Sequence, residues 1–168
     1  MREGTLVDLV DRIHAAPLEE GGWSRLLDGH CEVFEATWAC LFRLTQGSEH
    51  VSFWAEGGPE VRGRWPPQSG GLPPDPWVAR VLQEKPGQVF AFAVPAEWGK
   101  SAAGAARTGV SQEAGAAAAL GVRLDGGGGR GAAAAAGLVL RSRPGCAPYG
   151  SADRAGLRRV VPHLRRVL

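Results

Sequence analysis

The sequence predicts an α+β fold, an antiparallel sheet of five to six strands flanked by N- and C-terminal helices. Three observations carry this expectation. Apolar residues recur at three- and four-residue steps at both ends of the chain. The runs between them alternate with period two. The segments follow one another as helix, helix, strand, strand, loop and helix, then three strands and a helix, an order that suits a sheet with helices packed against it. At 168 residues the chain fits one domain, 1–168, and has no room for two independent cores.

The first helix is marked by Leu6, Leu9, Val10 and Ile13 behind Thr5, an acceptable N-cap, with Pro17 beyond its last turn. A second runs from Glu19 to about Glu35 on the stripe Trp23, Leu26, Leu27, Val33 and Phe34, interrupted by Gly29. The period then changes. Trp38, Cys40, Phe42 and Leu44 alternate with Ala39, Leu41, Arg43 and Thr45, and beyond the polar turn QGSEH the run HVSFWA alternates again, which reads as a hairpin of strands 38–45 and 50–55. Residues 57–76 are too dense in Gly and Pro for a regular element. Trp65 and Trp77 favour an ordered, packed loop there over a linker. Asp75, Pro76 and Trp77 open a short helix that Pro86 and Gly87 close. In the next strand, 88–94, Val89, Ala91 and Ala93 face one way and Phe90, Phe92 and Val94 the other.

Residues 99–137 hold 25 Ala or Gly and only four of Leu, Val, Ile or Phe, so side-chain burial there is poor. Segment 99–115 is expected to be mobile. The segments 116–124 and 132–142 are expected to be strands around a DGGGGRG turn. Ala propensity argues for helix in both, whereas Val122, Leu124, Val139 and the turn chemistry argue for strand. The chain closes on a helix with Ser151 as N-cap and Asp153 in its first turn. Leu157, Val160, Val161, Leu164, Val167 and Leu168 share one side of it, and Pro162 is expected to kink it.

Composition excludes several function classes. No apolar run is long enough to span a membrane, and the N-terminus carries acids inside its apolar pattern, unlike a signal peptide; a cytoplasmic protein is expected. Cys31, Cys40 and Cys146 form no CxxC pair, and His14, His30, His50 and His163 are scattered, so neither a disulfide scaffold nor a metal site is expected. Gly126, Gly128 and Gly131 satisfy G-x-G-x-x-G and Asp153 has roughly the spacing of the ribose-binding acid, but the chain between Arg141 and Gly150 holds no apolar strand to carry it. A hairpin turn is the better reading. No GxSxG elbow frames a serine, and the acid pairs Glu19/Glu20 and Glu32/Glu35 sit on helix surfaces, so the chain is not expected to be an enzyme or to need a cofactor. Net charge is only +2, although residues 154–168 contain five arginines and no acid beyond Asp153. A solvated helix face explains them more simply than nucleic acid contact.

Tryptophan is the enriched resource. Trp54, Trp65 and Trp77 bracket the Gly/Pro loop, with Phe90 and Phe92 shortly after, so a sheet face, a loop and a helix start can converge on an aromatic cleft for a small apolar or aromatic ligand. The same rings can instead plug a core that alanine cannot fill. Period two separates Phe53 from Trp54, and Phe53 continues the core set with Val51, which leaves Trp54 for the cleft.

The phrases DPWVARVLQEKPGQVF, ALGVRLDGG and especially SADRAGLRRVVPHLRRVL resemble the N-terminal sensor domain of LuxR-type helix-turn-helix transcriptional regulators, a GAF-like domain. The resemblance implies a GAF-like sheet and a regulatory domain that binds a small molecule or a partner to control transcription. The chain departs from the family at GKSAAGAARTGVSQEAG, where such regulators carry an aromatic and acidic helix. It also stops at Leu168, before any DNA-reading helix, so it is expected to act as a truncated or stand-alone sensor without sequence-specific DNA binding of its own. The alternative is a ligand-free dimerisation module. The stripe Leu157, Val161, Leu164 and Leu168 would serve a homodimer interface, unless it covers the sheet or pairs with the N-terminal stripe.

Overall fold

The computed structural model describes residues 3–44, 51–59, 76–94, 118–124, 135–143 and 145–168. Helix α1 spans Glu3–Ala15, a single 3-10 turn Ala16–Leu18, and α2 Gly22–Phe34. Strands β1 (Ala36–Leu44) and β2 (Val51–Gly57) follow, then α3 (Pro76–Leu82), β3 (Val89–Ala93), β4 (Ala118–Arg123), β5 (Ala136–Ser142) and α4 (Ser151–Val167). The strands form one sheet in the order β2-β1-β5-β4-β3, and every neighbouring pair is antiparallel.

The expected α+β architecture is what the chain adopts. Where they are described, both Ala-rich segments are strands, Ala118–Arg123 and Ala136–Ser142, and they pair antiparallel with each other from Ala119 opposite Arg141 to Arg123 opposite Gly137, which does not suit the dinucleotide-binding reading. The connection between them, 125–134, lies outside the described residues, as do 99–115 and 60–75 of the Gly/Pro segment.

Period two puts the side chains of each strand on two faces. Ala39 and Leu41 of β1, Leu120 and Val122 of β4, and Leu138 and Leu140 of β5 meet Leu9 and Ile13 of α1, Leu26 and Leu27 of α2, and Leu157, Val160 and Leu164 of α4. Trp38, Cys40, Phe42, Phe90, Ala119 and Val139 form a second cluster on the opposite face, under Val78 and Val81 of α3. Among the described residues, one sheet thus separates a layer of three helices from a single short one.

The central strands β4 and β5 are poor in large side chains because their neighbours fill the space. A Cβ on Gly137 would lie 2.6 Å from both Phe42 Cζ and Val81 Cγ1, and one on Gly121 would lie 2.8 Å from Phe90 Cζ. Each ring therefore rests on the backbone of the adjacent strand, an arrangement that only glycine permits and that repays its missing side chain. The far end of the β4–β5 ladder is closed by Ser142, whose hydroxyl accepts from the Ala118 N–H and donates to the Ala118 carbonyl, both at 3.1 Å.

Several local details are set by the structure. Helix α1 starts at Glu3, so Thr5 lies inside its first turn and does not cap it. Gly29 does not interrupt α2; a Cβ there would come within 2.7 Å of Arg12 Nη1, so the glycine admits the Arg12 side chain from α1. Helix α2 ends at Glu35, which turns left-handed (φ 52°) and returns its N–H to the Cys31 carbonyl. The N-cap of α4 is Gly150, one residue before the expected Ser151, and Asp153 accepts the Gly150 N–H at 2.8 Å. Pro162 stands at an exposed position inside α4, which runs on to Val167. The missing N–H thus falls on the solvent side of the helix.

Candidate functional site

The polar and aromatic chemistry of the described residues concentrates on the α3 face of the sheet, in three cross-strand rows that the register defines. In the first, Arg141 of β5 stands between Trp38 and Ala119, with Phe92 opposite Ala119. Glu56, Cys40, Val139, Gly121 and Phe90 make the second. The third places position 54 opposite Phe42, and Gly137 between Phe42 and Arg123.

Two guanidinium groups define the electrostatics. Arg141 is only 6% exposed and lies over the Trp38 ring, 5.6 Å from its centroid. Burial lowers its pKa from the ordinary guanidinium value while the negative charge of Glu56 acts the other way. The side chain remains a cation, since no protein environment near neutral pH strips an arginine of its proton. Arg80 reaches from α3 across Phe90 and Phe92, 4.7 and 5.6 Å from the two centroids, and pairs with Glu84 at 2.6 Å one turn further on. Phe90 and Phe92 stack on each other at 5.3 Å with planes 21° apart. Helix α3 is held in place by Arg123, whose Nη1 donates to the carbonyls of Leu82 and Glu84 at 2.8 and 3.3 Å and so satisfies groups that the helix end leaves open.

Such a face can stack a planar or apolar group on its rings beside two guanidinium charges. Cys40 is buried in the middle of this face, with Glu56 opposite it on β2. Cys31 lies on the helix side of the sheet, and burial, reinforced by Asp28 and Glu32, pushes its thiol up to about 12, where it stays protonated and unreactive. No group of three or more His, Cys, Asp or Glu converges as metal ligands among the described residues.

Of the residues expected to line a cleft, Phe90 and Phe92 come together under Arg80. The backbone register places position 54 on the α3 face and helix α3 carries position 77 in its first turn, but the side chains of Trp54 and Trp77, and all of Trp65, lie outside the described residues. Trp38, Arg80 and Arg141 were missed. Their signal was present: Arg141 is a lone cation in the apolar run AGLVLRS, two residues beyond Val139 on the face that Trp38 shares.

The stripe proposed for a dimer contact is spent within the chain. Leu157 and Leu164 are fully buried, Val161 is 6% exposed, and Leu168 packs partly buried against the same cluster. Leu168 is further anchored through its carbonyl, which accepts Arg43 Nη1 at 2.9 Å. The physical reason is the shortage of large aliphatics elsewhere: the sheet needs these side chains to cover its helix-side face.

No protein-family profile and no curated protein sequence matches the chain. Solved structures do match in shape. The GAF domain of an Acinetobacter phosphoenolpyruvate-protein phosphotransferase superposes with a TM-score of 0.56 at 14% identity, covering 99% of this chain and 93% of that one. The GAF domain of the Coxiella burnetii phosphoenolpyruvate-protein phosphotransferase gives 0.51 at 11% identity, with 99% and 94% covered. Among the described residues no helix is long and apolar enough to cross a membrane. The described residues place three helices on one side of a five-stranded antiparallel sheet and one on the other, and the chain has the fold of a GAF domain.

Proposed function

We propose that the chain is a regulatory sensor domain, not an enzyme, which takes a small planar or apolar ligand against the α3 face of its sheet. The observation that carries this reading is Arg141, a cation nearly excluded from water and laid on Trp38, in the row that ends at Phe92 beside Arg80. Burying a charge is expensive, and a fold that needs only stability fills such a position better with an aliphatic side chain. A guanidinium held there serves recognition. The ligand class is a flat, largely apolar molecule with one acceptor or anionic group.

The finer role rests on the sequence resemblance to LuxR-type regulators, above all in the last 18 residues. On that basis the domain works in the cytoplasm and controls transcription, and the chain by itself does not read a DNA sequence. The exposed arginines of α4, Arg158, Arg159, Arg165 and Arg166, provide at most a salt-sensitive attraction to phosphates.

Tryptophan fluorescence titrated with a panel of small aromatic acids and apolar metabolites tests the reading. A saturable quench by at least one compound, weakened about tenfold or more by Phe92→Ala, is the expected result. No response to any compound, together with a dimer in sedimentation, favours the ligand-free interaction module. A footprint on one DNA sequence that persists at ~200 mM salt would overturn the DNA statement.

A further inference from the structure

Helices α1 and α4 pack side by side, and across their contact His14 Nε2 lies 3.1 Å from His163 Nδ1. The rings meet edge to face, with centroids 5.3 Å apart and planes at 83°. This pair touches neither the α3 face nor the core, since both rings sit at the surface. A nitrogen-to-nitrogen contact at this distance holds one proton between two lone pairs. Two imidazole nitrogens drawn together by elements 149 residues apart are also the donor set that late first-row divalent metals prefer.

We propose that His14 and His163 form a two-imidazole site for a divalent ion of the Ni2+, Cu2+ and Zn2+ group, which takes the place of the shared proton and clamps the first helix to the last. The geometry fits. A metal about 2.0–2.1 Å from each of two nitrogens that stand 3.1 Å apart subtends an N–metal–N angle of about 98°, between the square and tetrahedral values. Each ring has to turn by up to about 40° from the hydrogen-bonded arrangement to aim its lone pair at that point, a motion that surface rings make against water and not against packed core. No third His, Cys, Asp or Glu joins them among the described residues, so water fills the remaining positions.

Local charge does not select the ion. Asp11 stands three residues before His14 on α1, whereas Arg159 and Arg166 stand four residues before and three after His163 on α4. Acid and bases oppose each other, which leaves the affinity to imidazole coordination. Oxygen-preferring Mg2+ and Ca2+ are therefore excluded, and Cu2+ binds more tightly than Ni2+ or Zn2+. An ion that joins α1 to α4 exists only in the folded chain, so it also raises the melting temperature.

Calorimetric titration of the full chain with Ni2+, Zn2+ and Mg2+, alongside thermal unfolding with and without each ion, tests the site. One equivalent of Ni2+ or Zn2+ is expected to bind and Mg2+ not to. His14→Gln and His163→Gln should each weaken binding about tenfold or more and abolish the rise in melting temperature. Binding that survives both substitutions would assign the ion to His50 or Cys146 and overturn the proposal, as would no binding at all. Electron paramagnetic resonance of the unaltered chain with one equivalent of Cu2+ needs no variant: coupling to two imidazole nitrogens is expected, and coupling to one or none refutes the pair.

Discussion

On the helix side of the sheet, leucines from α1, α2 and α4 interlock with Leu41, Leu120, Leu138 and Leu140, and each contributes by removing apolar area from water. On the α3 side the central positions are Gly121, Gly137 and Ala119, and the volume comes from Phe42, Phe90 and Trp38 reaching over them. The first face is redundant, with many side chains doing the same thing. The second depends on a few rings lying on bare backbone, with two guanidinium groups among them. A sheet that divides its work in this way can keep stability on one side and recognition on the other.

That contrast is open to measurement, beginning with the largest effect. Leu157→Ala should cost about 2–5 kcal/mol in denaturant unfolding, and Leu157→Asp should leave the chain unfolded, because the site is closed inside one protomer. A folded Leu157→Asp monomer would mean that this helix face belongs to a dimer after all.

His30 comes next. It is fully buried in α2, its Nδ1–H donates to the Leu26 carbonyl at 2.9 Å, and Nε2 has no hydrogen-bond partner. Burial lowers its pKa to about 4, against a smaller opposing effect of that hydrogen bond. The folded chain therefore refuses a proton that the unfolded chain accepts near pH 6.5. Stability is fully present above about pH 6.5 and falls by about 3 kcal/mol as the pH drops towards 4. His30→Phe, which keeps a ring beside Phe34, should flatten that part of the pH profile. An unchanged slope would show that other groups carry the acid sensitivity.

On the α3 face, Gly137→Ala should cost about 1–3 kcal/mol by overpacking against Phe42 and Val81, and Phe42→Leu should relieve part of that cost in the double variant. Simple additivity of the two would deny that the ring depends on the glycine. The smallest effect belongs to Arg80→Ala. Its ring contacts and its partly exposed pair with Glu84 together are worth about 1 kcal/mol or less, so stability should barely move while ligand response falls. Loss of several kcal/mol would make Arg80 a structural residue and weaken the functional reading of this face.

The alternation of Trp38, Cys40 and Phe42 with Ala39 and Leu41 determined by itself which side of β1 each residue takes, and Val89 to Val94 did the same for β3, because a strand has no other way to place neighbouring side chains. The helical stripes at the two ends were equally legible. The Ala/Gly runs were legible as strands only from Val122, Leu124, Val139 and the turn between them, and not from their own alanines. An alanine run suits helix on propensity, and what makes 118–123 and 136–142 strands is the presence of Phe90 and Phe42, whose rings need glycine beneath them on the adjacent strand.

Site chemistry divides along the same line. Aromatic enrichment was visible in the sequence, and it directed attention to Phe90 and Phe92. The pairing of Trp38 with Arg141 was not visible, since 103 positions separate them and only the β1–β5 ladder makes them neighbours. Burial was decided there too: whether Leu157 and Leu164 serve a partner or the core depends on how much apolar surface the rest of the chain leaves uncovered. Local pattern determines which face a residue takes within its own element. What that face meets is a property of the assembled fold, because burial and electrostatic pairing arise from contacts between segments far apart in the chain.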